Sequence, residues 1–533
     1  MTYFAGTRTL LRFALRRDRI MLPSWMAVYL AYTVGGTAAA LALYPDLASR
    51  TSAAAAVNNM PALVVMYGRV WDPSSAGAVA MMKPIGFGGI FAAIFGILLM
   101  TRHTRSEEES GRLELVAAQP VGRWAQLASA CLLVFGVMSA LAVVEGVGLT
   151  ASGLAASSSW AFACSTSLAG LTFAGLAAIT AQLTQSARTG NVIAFAALTL
   201  SFILRGTADI GVGSHAAWWS WISPIGWQDQ VRAFAGDRWI VLLPLVLASM
   251  GTVAVGLRIA RTRDLDAGVI PQRAGRSSAK AWLSSPIGLA IRLQRGLFLG
   301  IFTYYFFMSL LLGAIVSSIS DFLDAESMRK FLEAVAGTDD PFKAFMAFEI
   351  GFTAVITAVC GVMLSRRIAT EEQEGRLEPV LATAVSHTRA FSAYVATAAL
   401  ATTLLQTTIG VGFWLGNGLQ TSSYSGLWDA LVTSLVYMPA VWIFVALTFL
   451  LIAVRPTLTF IAWLLLVAVV IIDEFGSMFS WPDPLLNASP FRQTPLFPMT
   501  AMHWTPELCM LAVTAALLGF AYRRFQARDL ATP

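Results

Sequence analysis

Residues 458–472 read LTFIAWLLLVAVVII, an almost wholly apolar run flanked by further apolar residues. Comparable runs recur along the chain, for example at 239–257 and 298–316. The hydrocarbon core of a bilayer is about 30 Å thick and requires roughly 20 apolar residues per helix, so such runs are typical of membrane-spanning helices. A buried soluble core explains one or two of them. About a dozen predict an all-α integral membrane protein.

The composition excludes an ordinary soluble globular protein. Of the 533 residues, 57% are hydrophobic and only 12% are charged, whereas soluble domains carry roughly 25% charged residues. The four cysteines lie far apart in apolar runs, and the four histidines show no metal-ligand spacing. We therefore expect no disulfide and no metal site.

Hydropathy predicts about 12 transmembrane helices in two groups of six. The predicted spans are 21–43, 84–101, 125–150, 158–183, 190–205 and 239–258 in the first group, and 297–318, 346–365, 390–416, 427–454, 457–475 and 506–523 in the second.

The basic residues predict the orientation. With the N-terminus inside, segments on the cytoplasmic side collect 26 of the 36 Lys and Arg residues, as positive-inside loops do. A basic segment at 8–19 precedes the first span, which is too long for the apolar part of a cleaved signal and lacks a cleavage site. We expect a multi-pass protein of the inner (plasma) membrane with both termini in the cytoplasm.

One polar segment occurs twice. Residues 107–124 read EEESGRLELVAAQPVGRW and residues 371–388 read EEQEGRLEPVLATAVSHT, and 9 of the 18 positions are identical. Arg-Asp-Leu at 263–265 is echoed by Arg-Asp-Leu at 528–530. The repeat predicts an internal duplication: a first six-helix half at 1–265, a cytoplasmic linker at 266–288 and a second six-helix half at 289–533.

Each copy of this segment reads as a short cytoplasmic helix. Ser106 with Glu109, and Thr370 with Gln373, fit the capping box that starts a helix. Glutamate and arginine spaced four residues apart predict one ion pair in each copy; these pairs are Glu108–Arg112 and Glu372–Arg376. A narrow apolar stripe follows in each copy, at Leu113, Val116 and Ala117 and at Leu377, Val380 and Leu381.

A solvated connector explains a single loop of this kind as well as a docking element does. Duplication favours docking, because a merely solvated surface tolerates substitution. The motif EE-x-x-GRLE, followed by Pro120-Val121-x-Arg123, resembles the coupling-helix segment of ABC-type-two exporter permeases. The two-copy architecture and the outer loop at 221–227 (WISPIGW) resemble actinobacterial permeases for the efflux of polyketide antibiotics, tetronasin and multiple drugs. The resemblance extends over essentially the whole chain.

The resemblance implies further elements. Each half would begin with an amphipathic elbow helix, at 8–19 and 289–295, and re-entrant outer helices would lie at 206–236 and 476–505. The repeated loops would be coupling helices that dock on an ATPase. The docking residues would be Glu107, Glu108, Gly111, Arg112, Leu113, Glu114, Glu371, Glu372, Gly375, Arg376, Leu377 and Glu378. Residues 384–387 (AVSH) depart from 120–123 (PVGR), so docking of the second copy would be weaker or asymmetric.

The chain has no G-x-x-x-x-G-K-[ST] phosphate loop, so we expect ATP and Mg to bind on a separate partner and no cofactor on this chain. Two fused halves predict two copies of that ABC ATPase. The expected function is a permease, itself not an enzyme, that exports hydrophobic or amphipathic compounds such as drugs or polyketide-like antibiotics. Membrane lipid and the exported small molecule are the other expected partners, with no role for nucleic acid.

Three polar residues inside predicted spans are candidates for a substrate pathway: Glu145, Glu349 and Gln406. A carboxylate at mid-bilayer costs roughly 2.5–3.5 kcal/mol on insertion scales, so neither glutamate should face lipid. Ordinary interhelical hydrogen bonds are the alternative reading of all three residues. The glutamates also support a rival function, a proton-coupled secondary drug transporter. A membrane enzyme acting on lipid-linked substrates is the third hypothesis, but no histidine or metal motif accompanies the acidic residues predicted outside.

Overall fold

The computed structural model describes residues 3–59, 61–111, 120–263, 267–270, 278–323, 341–475, 482–500 and 502–528. Over these ranges the regular secondary structure is helical throughout and contains no strand. The chain forms two compact units, Met1–Gly275 and Arg276–Pro533. The predicted all-α integral membrane protein is confirmed, since eleven helices of the described ranges are long and apolar enough to cross a membrane.

The long helices of each unit are numbered here as spans 1 to 12. Spans 1 to 6 are Met21–Leu43, Met82–Arg102, Ala125–Ala151, Ala156–Leu183, Ala187–Ile210 and Leu242–Thr262. Spans 7 to 12 are Pro286–Leu323, Pro341–Ser365, His387–Thr421, Leu427–Val454, Phe460–Phe475 and Trp504–Ala527. Span 11 is shorter than the others, and span 1 contains a π-helical turn at Ala31–Gly35.

The first unit packs around span 4, which contacts spans 2, 3 and 6. Small residues allow this close packing: a Cβ added to Gly96 of span 2 would lie 2.6 Å from the carbonyl oxygen of Gly170 in span 4. A side chain at Gly96 would therefore push the two helices apart. Small residues at a helix interface are typical of membrane proteins. Lipid tails are as apolar as leucine, so membrane helices associate by close packing and not by the hydrophobic effect.

The second unit pairs its helices differently. Spans 7 and 9 lie side by side along much of their length, and Gly412 and Gly416 of span 9 face the backbone and side chains of span 7. Span 10 packs against span 12. A core cluster of the second unit includes Phe391, Phe449 and Phe525, all almost fully buried.

The two expected elbow helices differ. In the first unit a separate helix, Thr7–Arg17, ends at Asp18 before span 1 begins at Met21. In the second unit the expected elbow at 289–295 is wrong as a separate helix, because it is continuous with span 7, Pro286–Leu323. No proline interrupts this stretch after Pro286, and the glycines within it are compatible with a continuing helix.

Short helices precede the last span of each unit, as expected for the outer segments. In the first unit they are a 3-10 helix at His215–Ile222 and an α-helix at Pro224–Gln230. In the second they are Asp483–Leu486 and Pro490–Gln493; residues 476–481 and 501 of the expected segment lie outside the described ranges. Three further helices join spans 1 and 2, at Leu47–Asn58, Pro61–Tyr67 and Ala76–Ala80.

Candidate functional site

The first copy of the repeated segment follows span 2 directly. After a break at His103 and Thr104, the chain forms a short helix, Arg105–Glu109. Four of its side chains, Arg105, Glu107, Glu108 and Glu109, are bonded to other parts of the first unit. We call residues 105–124 the first loop and residues 367–388 the second loop.

Glu108 lies at the centre of the first loop. Its carboxylate, with a side chain only 5% exposed, accepts a hydrogen bond of 2.5 Å from Arg105 and pairs with Arg263, the residue that ends span 6. Arg105 in turn donates to the carbonyl oxygen of Gln185 at 2.7 Å, and Arg263 donates to that of Ala267 at 2.5 Å. Two buried cations and one buried anion thus join the loop to the ends of spans 4 and 6.

The neighbouring glutamates reach other helices. Glu107 pairs with Arg17 at the end of the elbow helix. Glu109 accepts a 2.7 Å hydrogen bond from the backbone N–H of Ala187, the first residue of span 5. A carboxylate at that position satisfies an N–H group that has no partner within the helix and lies at the positive end of the helix dipole.

The first loop also ends against the N-terminal residues. The N–H of Gly122 donates to the carbonyl oxygen of Ala5 at 2.9 Å, and that of Trp124 donates to Tyr3 at 3.1 Å. The rings of Tyr3 and Trp124 stack with centroids 4.9 Å apart. The segment before the elbow helix therefore holds the start of span 3.

The second loop contains two short helices, Arg367–Gln373 and Glu378–Leu381. Glu372 occupies the position of Glu108 and accepts a 2.7 Å hydrogen bond from Arg528, the residue that ends span 12. Arg263 and Arg528 thus make the same connection in the two units: the residue after the last span holds the second glutamate of the loop. The Arg-Asp-Leu echo in the sequence marks this connection.

The other ion pairs of the second loop stay local. Glu371 pairs with Arg367 one turn earlier and accepts hydrogen bonds of 2.9 and 3.2 Å from Arg376. Arg376 also pairs with Glu374. The hydrogen bond to Glu371 is the largest of several interactions that raise the pKa of Arg376 above its usual value.

The glycine of each GRLE motif has a backbone role. Gly111 has φ +69° and Gly375 has φ +68°, a left-handed conformation that glycine adopts far more readily than other residues. The N–H of each donates at 3.0 Å to the carbonyl oxygen of the glutamate three residues earlier, Glu108 or Glu372. We call these two residues the clamped glutamates, because each is held by the arginine after the last span of its unit. An added Cβ would meet no atom within 4 Å at either site. Conformation, not space, favours glycine at both positions.

Two local predictions are wrong. Ser106 and Thr370 lie inside helices that begin at Arg105 and Arg367, so neither is the first residue of a capping box. The expected Glu372–Arg376 pair is also replaced, by Glu372–Arg528 and Arg376–Glu371. The predictions at Arg112, Leu113 and Glu114 lie outside the described residues.

Burial divides the candidate docking residues of the second loop into two sets. Glu371, Glu372 and Leu377 are buried, and Leu377 belongs to the core of the second unit. The candidates Arg376 and Glu378 are exposed. Together with their exposed neighbours Gln373 and Glu374, which were not among the predicted docking residues, they form what we call the outer face of the second loop. Only the exposed set is placed to touch another protein; the buried set shapes the loop.

Glu145 is fully buried in span 3. One carboxylate oxygen accepts a 3.0 Å hydrogen bond from Thr166 of span 4, while the other has no hydrogen-bond partner among the described residues. Tyr29 and Thr33 of span 1 lie beside it, with Thr33 in the π-helical turn. This burial agrees with the prediction that Glu145 avoids lipid.

Gln406 and Glu349 lie in the second unit. Gln406 is fully buried, accepts a 2.7 Å hydrogen bond from Thr357 and donates to the carbonyl oxygen of Ile350 at 3.4 Å. These bonds join spans 8 and 9, which favours the interhelical alternative for this residue. Glu349 is half-buried near Tyr304. The three pathway candidates therefore occupy two separate units.

The sequence reading missed a buried cluster in the first unit. Arg205 donates to Asp209 at 3.1 Å, and Asp229 lies beside both. Arg232 stacks over the ring of Trp71 at 3.5 Å. The signal was an arginine and an aspartate four residues apart in the otherwise apolar end of span 5. Among the described residues no group of three or more His, Cys, Asp or Glu side chains is arranged to hold a metal ion.

The chain is similar to a known protein over nearly its whole length. It is 37% identical over 537 residues to the multidrug efflux system permease protein Rv1217c of Mycobacterium tuberculosis (strain ATCC 25618 / H37Rv), which covers 99% of this chain and 96% of that protein. Residues 283–526 match the family model described as multidrug efflux system permease Rv1217c, C-terminal domain.

Proposed function

Since this chain belongs to the family of multidrug efflux permeases, we propose that it is the membrane-spanning subunit of an ATP-driven ABC exporter. A separate ABC ATPase binds the two loops, one copy at each loop, and hydrolyses ATP with its own Mg. The exported compounds are hydrophobic or amphipathic, such as drugs or polyketide-like antibiotics. The loops face the cytoplasm, as the distribution of Lys and Arg predicts.

The observation that carries this proposal is that, in each unit, a buried ion pair connects the loop to the end of the last span. Arg263 holds Glu108, and Arg528 holds Glu372, with both glutamates buried. A displacement applied to either loop is passed directly to span 6 or span 12 through a charge-assisted hydrogen bond. A loop that only connected two helices would not need this buried link.

The sequence supports a separate ATPase. A phosphate loop with the pattern G-x-x-x-x-G-K-[ST] does not occur in these 533 residues. Nucleotide binding through such a loop requires another subunit.

A proton-coupled transporter is the second candidate, because Glu145 is fully buried and leaves one carboxylate oxygen without a hydrogen-bond partner among the described residues. Buried carboxylates of this kind serve proton relays in transporters. The two functions differ in their energy source.

Transport into inverted vesicles tests the proposal. We expect uptake of a fluorescent amphipathic drug to need the chain, the ATPase and ATP, and to persist when an ionophore collapses the proton gradient. Uptake driven by a proton gradient without ATP would favour the second candidate and overturn the first.

A second experiment tests the connection itself. Replacing Arg263 and Arg528 with Gln is expected to leave the ATPase bound but to lower drug uptake per ATP hydrolysed by about tenfold, the factor that corresponds to about 1.4 kcal/mol. The matched control replaces Arg261 and Arg524, which are exposed at the same helix ends. Uptake equal to the control would show that the connection does not transmit force.

A further inference from the structure

A pocket of about 500 Å³ lies in the first unit beside the first loop. Its walls come from the elbow helix, spans 1, 2 and 5 and the helix Arg105–Glu109. A volume of this size suits a drug-sized molecule or the head group and first carbons of a lipid. None of the residues that line the pocket takes part in the ion pairs of Arg263 or Arg528.

One side of the pocket is apolar. Trp25 and Phe95 stack face to face with ring centroids 3.7 Å apart. Met21 and Leu98 extend this surface, and Leu98 is 45% exposed. Flat aromatic rings beside aliphatic side chains form a surface for acyl chains or fused rings.

The other side is polar and carries two guanidinium groups. Arg102 donates to Asp18 at 2.9 Å, yet its side chain remains 41% exposed. Arg17 pairs with Glu107 and is 24% exposed. Burial of Asp18 opposes its ionisation, but the hydrogen bonds from Arg102 and His103 outweigh burial and hold its pKa below the usual value. Asp18 therefore stays ionised and fixes Arg102 at the rim.

Two lining groups are left without a partner. The hydroxyl of Thr101, a residue only 2% exposed, and the amide oxygen of Asn191 are both buried and make no hydrogen bond to any described residue. Buried polar atoms without a partner are uncommon in folded proteins. Here both lie at a pocket in which a ligand or water supplies the missing bonds.

We propose that this pocket binds an amphipathic anion, with its acidic head group at Arg17 and Arg102 and its apolar body along Trp25, Phe95 and Leu98. The charges favour an anion over a cation, because each guanidinium group is more exposed than the carboxylate it pairs with: Arg102 is 41% exposed and Asp18 1%, and Arg17 is 24% exposed and Glu107 16%. The basic elbow helix, with Arg8, Arg12 and Arg16, adds positive charge nearby. Basic segments at a membrane surface attract anionic lipids and amphiphiles in this way.

The same chemistry can come from two sources. An acidic phospholipid of the bilayer has an anionic head and apolar chains, and so does an exported amphipathic acid. Ser106, Glu107 and Ser110 of the first loop line the pocket, so a ligand from either source would touch the loop. Binding itself needs no ATPase, which keeps this proposal separable from the proposed function.

Trp25 provides the readout. The full chain is placed in nanodiscs of phosphatidylcholine, and its tryptophan fluorescence is titrated with dibromostearate, whose bromine atoms quench at short range. The chain has 16 tryptophans, so the fluorescence of Trp25 is obtained by subtracting the signal of the Trp25→Phe variant from that of the wild type. We expect saturable quenching of that fluorescence. The methyl ester of dibromostearate, which lacks the charge, is expected to quench it only in proportion to its concentration.

A brominated phosphatidylglycerol distinguishes the sources. Saturable quenching by both probes supports a site that membrane lipid occupies, whereas saturation by dibromostearate alone supports a site for exported amphipathic acids. Each outcome supports an anion site.

Two variants decide the proposal. Arg102→Gln should weaken the apparent affinity for dibromostearate about tenfold, as loss of a charge-assisted hydrogen bond predicts. Leu98→Phe should weaken it by filling the pocket while leaving every charge in place, which keeps the test valid if Arg102→Gln misfolds. The matched control is Leu132→Phe, at an exposed leucine of span 3. Equal quenching by acid and ester, or no loss with Leu98→Phe, would overturn the proposal.

Discussion

The two loops share a motif but are held differently. The first loop is bonded to the elbow helix through Glu107, to span 5 through Glu109 and to span 6 through Glu108. In the second loop, Glu371 pairs with arginines of its own loop, and Gln373, at the position of Glu109, is exposed. Among the described residues, the ion pair from the second glutamate to the end of the last span is the one that both loops share.

This difference traces to particular residues. Arg105 is almost fully buried beside Glu108, and Ala369 stands at the corresponding position of the second loop. The first loop therefore contains a buried arginine whose charge needs Glu108. The buried carboxylate should therefore matter more for stability in the first loop than in the second, where Arg528 is partly exposed.

The largest effect should come from removing the clamped glutamates. Glu108→Ala leaves Arg105 buried without its carboxylate, and breaking such a pair costs about 3–5 kcal/mol. Glu372→Ala should cost less, roughly 1–3 kcal/mol, because Arg528 is 17% exposed and can reach water. The thermal unfolding of each detergent-purified variant measures this. Equal losses would refute the inferred difference, and Ser110→Ala, at an exposed residue of the first loop, is the control.

The two glycines should respond alike, in contrast to the glutamates. Gly111→Ala and Gly375→Ala force a residue with a Cβ into a left-handed conformation, at a cost of roughly 1–2 kcal/mol each. Gly136→Ala in span 3 is the control, since its added Cβ meets no atom and helical alanine is favoured over glycine. The melting temperatures of the three variants test this, and a difference between the two loops would mean that their turns are not equivalent.

Much of the fold was predictable because hydrophobicity is a local property of the chain. The predicted spans 125–150 and 427–454 agree with the helices Ala125–Ala151 and Leu427–Val454 within a residue or two at each end. The local rules failed at the loops. Ser106 looks like a helix start, but the helix begins one residue earlier at Arg105.

The ion pairs were harder to predict, because their partners are distant in sequence. Arg528 lies 156 residues from Glu372, so an i,i+4 rule selects the nearer Arg376 instead. The repeated Arg-Asp-Leu was the sequence signal for the true partner, although it did not say which glutamate it would meet. The pocket beside Arg102 brings together three separate stretches of chain, at 17–25, at 95–110 and at Asn191, and no local pattern in the sequence indicates it.

A smaller effect should separate Glu109 from Gln373. Glu109→Gln weakens the bond to the N–H of Ala187 and removes a negative charge from the start of span 5, which should cost about 0.5–1 kcal/mol. Gln373→Ala at the equivalent exposed position should change stability by less than about 0.5 kcal/mol. Thermal unfolding in low salt is the measurement, because salt screens the dipole term. A larger loss with Gln373→Ala would reverse the comparison.

The smallest effect on stability should come from the outer face of the second loop. Glu374 and Glu378 are exposed, and the Glu374–Arg376 pair is a surface salt bridge of the kind worth about 0–1 kcal/mol. Replacing both glutamates with Gln should leave the melting temperature almost unchanged.

The same double variant should nevertheless weaken binding of the partner ATPase, because its side chains are the ones placed to reach another protein. We expect less ATPase to co-purify with the variant and less drug-stimulated ATP hydrolysis. The difference from the wild type should be larger at low salt, because charged contacts are screened least there and wild-type binding is strongest. The control is Asp483→Asn, at an exposed acidic residue of the same unit far from the loop in sequence. If the double variant retains full ATPase binding while Glu372→Ala abolishes it, the buried link shapes the docking surface and the outer face of the second loop is not that surface.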